Sequence, residues 1–448
     1  MRFLIAILLL FVYTLGFAQE FEINDKKKVK LKFEYLNNLI LIPVQLNGKN
    51  LTFLLDSGVQ QTLLFSVENE DLSLENIQKM KFTGLGGSVE IEGYESKKNI
   101  LKIHKDIVDN EHTIYFIPNA DFNISDHIGI PVHGIIGYQF FKSHPIKIDY
   151  VNHYITFYND PKLFQKEIKR KYEQNDITIE LNKPYIYADV QQIDEKVRSK
   201  MLIDLGNSDP IWLFPSLIEN FVYNRPNIED FLGRGFNGDI YGKRSRIHSL
   251  QLSSFVFNKP MMAMPDEYSI QHLKLVNDRK GSIGNEILKR MDVILDYSSK
   301  HMYFRKNKNF NEPFHTDMSG LSIRHDGLIW TKEIIDVKKT VPYGIDHKSN
   351  TFDNERENLI SKLQYNFVLR PIFSVAGVRA NSPAQLAGLQ KGDQIQKING
   401  QNINKLNLNQ INELLKHEEG DKIKIEILRN GVKYNFMFIL QDPIPFQN

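Results

Sequence analysis

The chain has 448 residues, 42% of them apolar and 25% charged, and a net charge of +2. That length suggests about two to four domains with buried cores, and the near-neutral charge calls for neither nucleic acid nor an anionic membrane surface as partner. Cysteine is absent, which excludes disulfides, thiol nucleophiles, cysteine metal sites and a lipid-acceptor cysteine.

Met1-Arg2 precedes an apolar run over residues 3–15, and Gly16-Phe17-Ala18 sets small residues where a signal peptidase reads. Residues 1–18 therefore read as a signal peptide, with an exported, soluble, periplasmic or secreted chain beginning at Gln19. No later run approaches the length of a membrane span. Lys26-Lys27-Lys28 reads as a solvated segment rather than a binding patch.

Residues 29–46 alternate and then run apolar, as strands do. Asn47-Gly48 makes a hairpin turn, and the chain returns through Phe53-Leu54-Leu55 directly into Asp56-Ser57-Gly58. A carboxylate at the end of a buried strand is costly unless amides or a partner hold it. Ser57 offers a hydroxyl, and Gly58 lets the backbone turn tightly. Next come Gly84-Leu85-Gly86-Gly87 before an alternating stretch, then Gly134-Ile135-Ile136-Gly137, then Ile146-Lys147-Ile148-Asp149-Tyr150. A charged, helix-like run over residues 162–174 follows Pro161 and reads as a linker.

A lone Asp-Ser-Gly is usually a surface turn. Here the plan repeats. Met201-Leu202-Ile203 leads into Asp204-Leu205-Gly206, followed by Gly233-Arg234-Gly235-Phe236-Asn237-Gly238, Gly281-Ser282-Ile283-Gly284 and Val293-Ile294-Leu295-Asp296-Tyr297. Gly134 lies 78 residues past Asp56 and Gly281 lies 77 past Asp204; Asp149 and Asp296 each lie 15 beyond those glycines. Four markers in one order at nearly one spacing make an internal duplication. Asp149 and Asp296 are paired acids too, but each precedes a turn and a short strand, so they read as turn formers.

These residues resemble an aspartic protease of the retropepsin and pepsin type, in its single-chain, two-lobed form. The resemblance spans roughly residues 30–310 and rests on the co-occurring markers. It implies a mainly β fold of two related lobes in pseudo-two-fold arrangement, residues 19–165 and 166–312. It also implies that Asp56 and Asp204 meet as a catalytic dyad, with Ser57, Gly58, Leu205 and Gly206 in the active-site loops. Two such acids share one proton and activate a water against a peptide bond, with no metal and no cofactor. Gly84, Gly86 and Gly87 in one lobe, and Gly235 and Gly238 in the other, are the flap candidates. One departure stands out. The family has Thr or Ser after the aspartate, hydrogen-bonding across the lobes; Leu205 cannot do this, and Asn207 is the candidate to compensate.

Past residue 310 the pattern changes. Ser382-Pro383-Ala384, Ala387-Gly388-Leu389, Gly392-Asp393 and Ile398-Asn399-Gly400 occur in series, followed by a helical stretch over residues 409–416 and two strands about Asn430-Gly431. This resembles a bacterial PDZ domain and implies an α+β module over residues 313–448 that takes a peptide C-terminus. Gly320, Leu321, Ser322 and Ile323 are the candidates for its carboxylate-gripping loop. Residues 327–371 read as a polar insertion, either a flexible excursion or a helix.

His104, His127, His133 and His144 are scattered and read as surface or packing residues rather than metal ligands. No phosphate-binding or dinucleotide fingerprint is present. The leading expectation is an exported, monomeric aspartic endopeptidase acting on a peptide or protein substrate. The alternatives are a catalytically weak or inactive peptide-binding protein, or a structural component of the cell envelope.

Overall fold

The computed structural model describes residues 20–65, 72–82, 91–118, 125–192, 196–219, 221, 225–235, 238–271, 273–335, 364–416 and 418–446. The residues read as a signal peptide and the flap candidates Gly84, Gly86 and Gly87 lie outside this set. The fold is mainly β. Two compact units are present: residues up to 125, 130–316 and 443–448 form one, and residues 126–129 and 317–442 form the other.

The first unit holds two lobes built on one plan. In the first lobe, strand Lys49–Leu55 pairs antiparallel with Leu39–Leu46 and parallel with Gly134–Ile136. Gly134–Ile136 also pairs antiparallel with Leu63–Phe65, which runs parallel to Ile107–Ile117. In the second lobe, Lys196–Ile203 pairs antiparallel with Lys183–Gln191 and parallel with Arg279–Ile283. Arg279–Ile283 pairs antiparallel with Ile211–Leu213, which runs parallel to Met261–Pro265. The repeat seen in the sequence is thus a repeat of strand order.

The glycines of that repeat are there for lack of room. A Cβ on Gly134 would collide with the Leu63 carbonyl oxygen, and one on Gly281 with the Trp212 carbonyl oxygen. Each sits where a short strand is squeezed between two neighbours, so any side chain would push a hydrogen-bonded backbone apart.

The lobes share a third, six-stranded sheet in the order Glu173–Asp176, His301–Lys306, Met291–Asp296, Ile146–Asp149, Tyr154–Tyr158, Lys28–Lys32. Its central pair joins one lobe to the other through Ile146↔Leu295, Lys147↔Ile294 and Ile148↔Val293. Asp149 accepts the Asn152 amide at 2.9 Å and Asp296 accepts the Ser298 hydroxyl at 2.8 Å, as turn formers do. One apolar core runs through both lobes and includes Leu55, Ile136, Phe141 and Ile148 with Ile203, Leu205, Ile283 and Leu295. Burying this much apolar surface is the dominant favourable contribution to folding in a chain with no disulfide. The linker is helical only over Pro161–Ile168, capped by Asp160. Glu173–Asp176 is strand instead, because the edge strand His301–Lys306 offers it a ladder of hydrogen bonds.

The second unit is a six-stranded sheet with helices Pro383–Ala387 and Leu408–Leu414. Leu408 and Ile411 of the latter join Ile323, Phe373, Ile395 and Ile425 in its core. Among the described residues, strand Leu321–Ile335 is an edge strand, paired only with Gln364–Val378. Of the expected insertion over residues 327–371, residues 336–363 lie outside the described set, and the described ends are neither excursion nor helix. Both of its flanks are strand, pairing from Leu328↔Pro371 out to Ile335↔Gln364. Leu328-Ile329-Trp330 opposite Val368-Leu369-Arg370 is a β-favouring combination, and it outweighs the polar character of the rest.

Candidate active site

Asp56 and Asp204 occupy matching places at the ends of strands Lys49–Leu55 and Lys196–Ile203. The Asp56 amide donates to the Ile136 carbonyl at 3.0 Å, and the Asp204 amide to the Ile283 carbonyl at 2.9 Å. Gly58 N–H donates to Asp56 Oδ1 at 2.7 Å, and Gly206 N–H to Asp204 Oδ1 at 3.1 Å. Each acid reaches the other's loop: a Cβ on Gly206 would lie 2.7 Å from Asp56 Oδ1. A Cβ on Gly58 would lie 3.0 Å from Asp204 Oδ1 and 3.1 Å from Asp56 Oδ1, so a single point touches both acids.

Burial raises the Asp56 carboxyl to about 7, with the Asp204 charge adding to it and the Gly58 amide opposing. Burial also raises Asp204, but Arg279 and Lys183 oppose the rise. Two desolvated carboxyls this close cannot both ionise easily, so the pair keeps one proton up to about pH 7.

Ser57 is fully buried and reaches across the lobes. Its hydroxyl donates to the Ile203 carbonyl at 2.7 Å and accepts from the Leu205 amide at 3.0 Å. Leu205 makes no matching reach, and its side chain lies in the shared core. The expectation that Asn207 compensates is corrected, because its bonds stay in the second lobe, to Ser282 at 3.2 Å and from the Asp209 amide at 2.9 Å. The return bridge is made by Asn285 instead. Its amide donates to the Leu205 carbonyl at 2.6 Å, and its carbonyl accepts from Tyr150 of the first lobe at 2.8 Å. A signal existed in the sequence: Asn285 follows Gly284 where the first copy has Tyr138 after Gly137.

Gly235 and Gly238 flank the turn of hairpin Ile228–Gly235 and Gly238–Arg246. The base of this hairpin is tied down. Arg244 donates to Asp209 Oδ1 at 2.6 Å and to Asp230 at 2.8 Å, while Asp209 also accepts from the Trp212 indole at 2.8 Å. This links the hairpin to the loop that follows Asp204.

His112 sits between Asp109 Oδ2 at 2.6 Å and Thr62 Oγ1 at 2.9 Å, an acid–imidazole–hydroxyl row. It is sealed from solvent and braces the first lobe. Among the described residues no group of His, Asp and Glu is disposed to hold a metal ion.

In the second unit the amides of the candidate carboxylate loop are already engaged. Gly320 N–H donates to Asp317 Oδ2 at 2.7 Å, and Leu321 N–H to Ser319 Oγ at 3.0 Å. Asp317 is itself paired with Arg379 at 3.5 Å. Ser322 and Ile323 lie in the edge strand, opposite Gly377 and Val375. A peptide end gripping this loop through Gly320 would have to displace the Asp317 carboxylate.

Residues 42–140 match a family model described as aspartyl protease, and residues 374–429 match one described as PDZ domain. No curated protein matches the chain. Among solved structures, it is similar to basic 7S globulin from soybean at 10% identity and a TM-score of 0.38, over 65% of this chain and 98% of that one. The polypeptide thus carries an aspartyl protease domain and a C-terminal PDZ domain.

Proposed function

We propose that the chain is an exported aspartic endopeptidase whose dyad is Asp56 and Asp204, with the PDZ domain engaging peptide segments of its substrates. The observation that carries this reading is the convergence of two half-buried carboxyls, supplied by duplicated loops, on a single point beside Gly58, one of them raised to about 7. Lys183 favours the charge on either acid, while Arg279 favours it on Asp204, so Asp56 holds the proton. Asp204 then takes a proton from a water bound between the acids, and that water attacks the scissile carbonyl. Asp56 donates to the carbonyl oxygen, and the proton gained by Asp204 passes to the leaving amine. No covalent intermediate forms.

Export rests on the apolar run and small-residue site of residues 1–18. No described helix is long and apolar enough to cross a membrane. Both halves of the site lie on one chain, so a monomer suffices. The open edge of strand Leu321–Ile335 supports peptide addition as a further strand.

The test is cleavage of denatured protein and peptide libraries across pH 3–8 by wild type, Asp56→Asn and Asp204→Asn. Turnover should fall above pH 7, as the shared proton leaves, and both variants should be inactive. Substantial activity in either variant alone would rule out a shared dyad. The single cross-lobe hydroxyl favours a second reading, a peptide binder that has lost catalysis. Tight peptide binding by a wild type that cleaves nothing would select it.

A further inference from the structure

The two lobes are copies, so their differences beside the dyad are informative. In the first lobe a two-residue turn, Asn37-Asn38, delivers Leu39, which pairs with Leu36; in the second, Leu181-Asn182 delivers Lys183, which pairs with Glu180. Leu41 pairs with Leu54 as Tyr185 pairs with Leu202, so Leu39 and Lys183 correspond, as do Leu41 and Tyr185. The Phe65 amide bonds the His133 carbonyl as the Phe214 amide bonds the Lys280 carbonyl, so Val132 corresponds to Arg279. An aliphatic trio on one side of the site is thus two cations and a phenol on the other.

These cations lack an anion of their own. Glu180, the cross-strand neighbour of Lys183, is committed to Lys200 at 2.6 Å and to Thr178 at 2.7 Å. The Arg279 guanidinium donates to the Gly281 carbonyl at 3.1 Å, stacks over Phe214 and lies within electrostatic reach of Tyr185. The Lys183 ammonium makes no hydrogen bond or ion pair among the described residues; the residue is half-buried, within electrostatic reach of both proposed catalytic acids. A dyad sharing one proton carries one negative charge, and two cations face it. One positive charge is left over in a partly desolvated cleft, where an unpaired charge is expensive.

We infer that the second lobe holds an anion subsite beside the dyad, in which Lys183, backed by Arg279 and Tyr185, receives a carboxylate of the peptide substrate. This rests on the proteolytic reading and adds a substrate class to it, peptides with a carboxylate close to the scissile bond. The carboxylate has two possible sources, an Asp or Glu side chain or the free end of the chain.

The probes are matched peptide sets that differ only by Glu against Gln at each position around the cleaved bond, or by a free against an amidated C-terminus. Wild type is scored by kcat/KM. Binding is scored by fluorescence anisotropy on Asp56→Asn, which does not depend on turnover. The acid form should be preferred about tenfold, the worth of one charge-assisted hydrogen bond in a half-buried site. Preference confined to the Glu/Gln pairs identifies a side chain, and preference confined to the acid/amide ends identifies a terminus. In Lys183→Leu, which installs the first-lobe residue, the ratio should collapse toward one, and Lys183→Arg should retain it. Equal treatment of acid and amide forms by wild type, or an unchanged ratio in Lys183→Leu, overturns the subsite. Absence of all cleavage overturns the proteolytic reading instead, and the binding ratios on Asp56→Asn still decide the subsite.

Discussion

Replacing Asp56 with Asn should abolish turnover and yet stabilise the fold, and the gain should depend on pH. The ordinary value of this carboxyl is 3.8, and burial beside Asp204 holds it at about 7 in the folded chain. The folded state therefore binds this proton more tightly than the unfolded chain does. The stability so gained is full below pH 3.8 and is lost as pH rises through 7. Over that window the loss amounts to about 4 kcal/mol, a large share of a typical folding free energy. Asparagine keeps the shape and the oxygen that accepts from Gly58, but has no proton to lose. The assay is urea unfolding at a series of pH values, followed by Trp212 fluorescence in a Trp330→Phe background, since the chain holds two tryptophans. The free-energy difference between variant and parent should be near zero at pH 3.5 and about 4 kcal/mol by pH 8. Parallel pH curves for the two proteins would refute the reasoning, because they would mean that the acid ionises in place as easily as in water.

Ser57→Ala strands a buried carbonyl at Ile203 and a buried amide at Leu205, so unfolding should become easier by about 2–4 kcal/mol, read by the same denaturation assay. Gly206→Ala sets a Cβ 2.7 Å from Asp56 Oδ1 and must displace that carboxyl; kcat/KM should fall by about a hundredfold or more, while circular dichroism stays native. Asp317→Ala frees the Gly320 amide in the PDZ domain. Peptides with a free C-terminus should then bind about tenfold more tightly than to the parent, as measured by anisotropy, while amidated peptides should not.

The duplicated lobes were legible because the constraint that produces them is local. An acid fed by a strand, and glycines wedged between carbonyls, recur at fixed spacing whatever else diverges. Asp56 and Asp204 could therefore be paired from the chain alone. The partner of Leu205 could not. Asn285 lies 80 residues away, and its bridge to Tyr150 of the other lobe exists only once the shared sheet has formed. Lys183 was equally opaque, since a lysine just after a turn reads as solvated, and only the register places it beside the acids. In the PDZ domain the Ser-Gly-Leu stretch was found, but nothing in its letters says that Asp317 folds back onto its amides. The paired strands Leu328–Ile335 and Gln364–Pro371 follow from the apolar and aromatic residues Leu328-Ile329-Trp330, a short signal beside the polar residues that come next in the sequence.

The six-stranded sheet that welds the halves together has an evolutionary corollary. A site assembled from two identical subunits must accept every substitution twice, on both flanks at once. Two lysines and two arginines around a single negative charge would repel one another, and two leucines after the aspartates would remove both hydroxyl braces. Carrying both halves on one chain, joined by the segment around helix Pro161–Ile168 and seamed by the Ile148↔Val293 pairing, lifts that restriction. One flank can stay apolar and keep its serine while the other carries cations, which gives a two-fold site a left and a right.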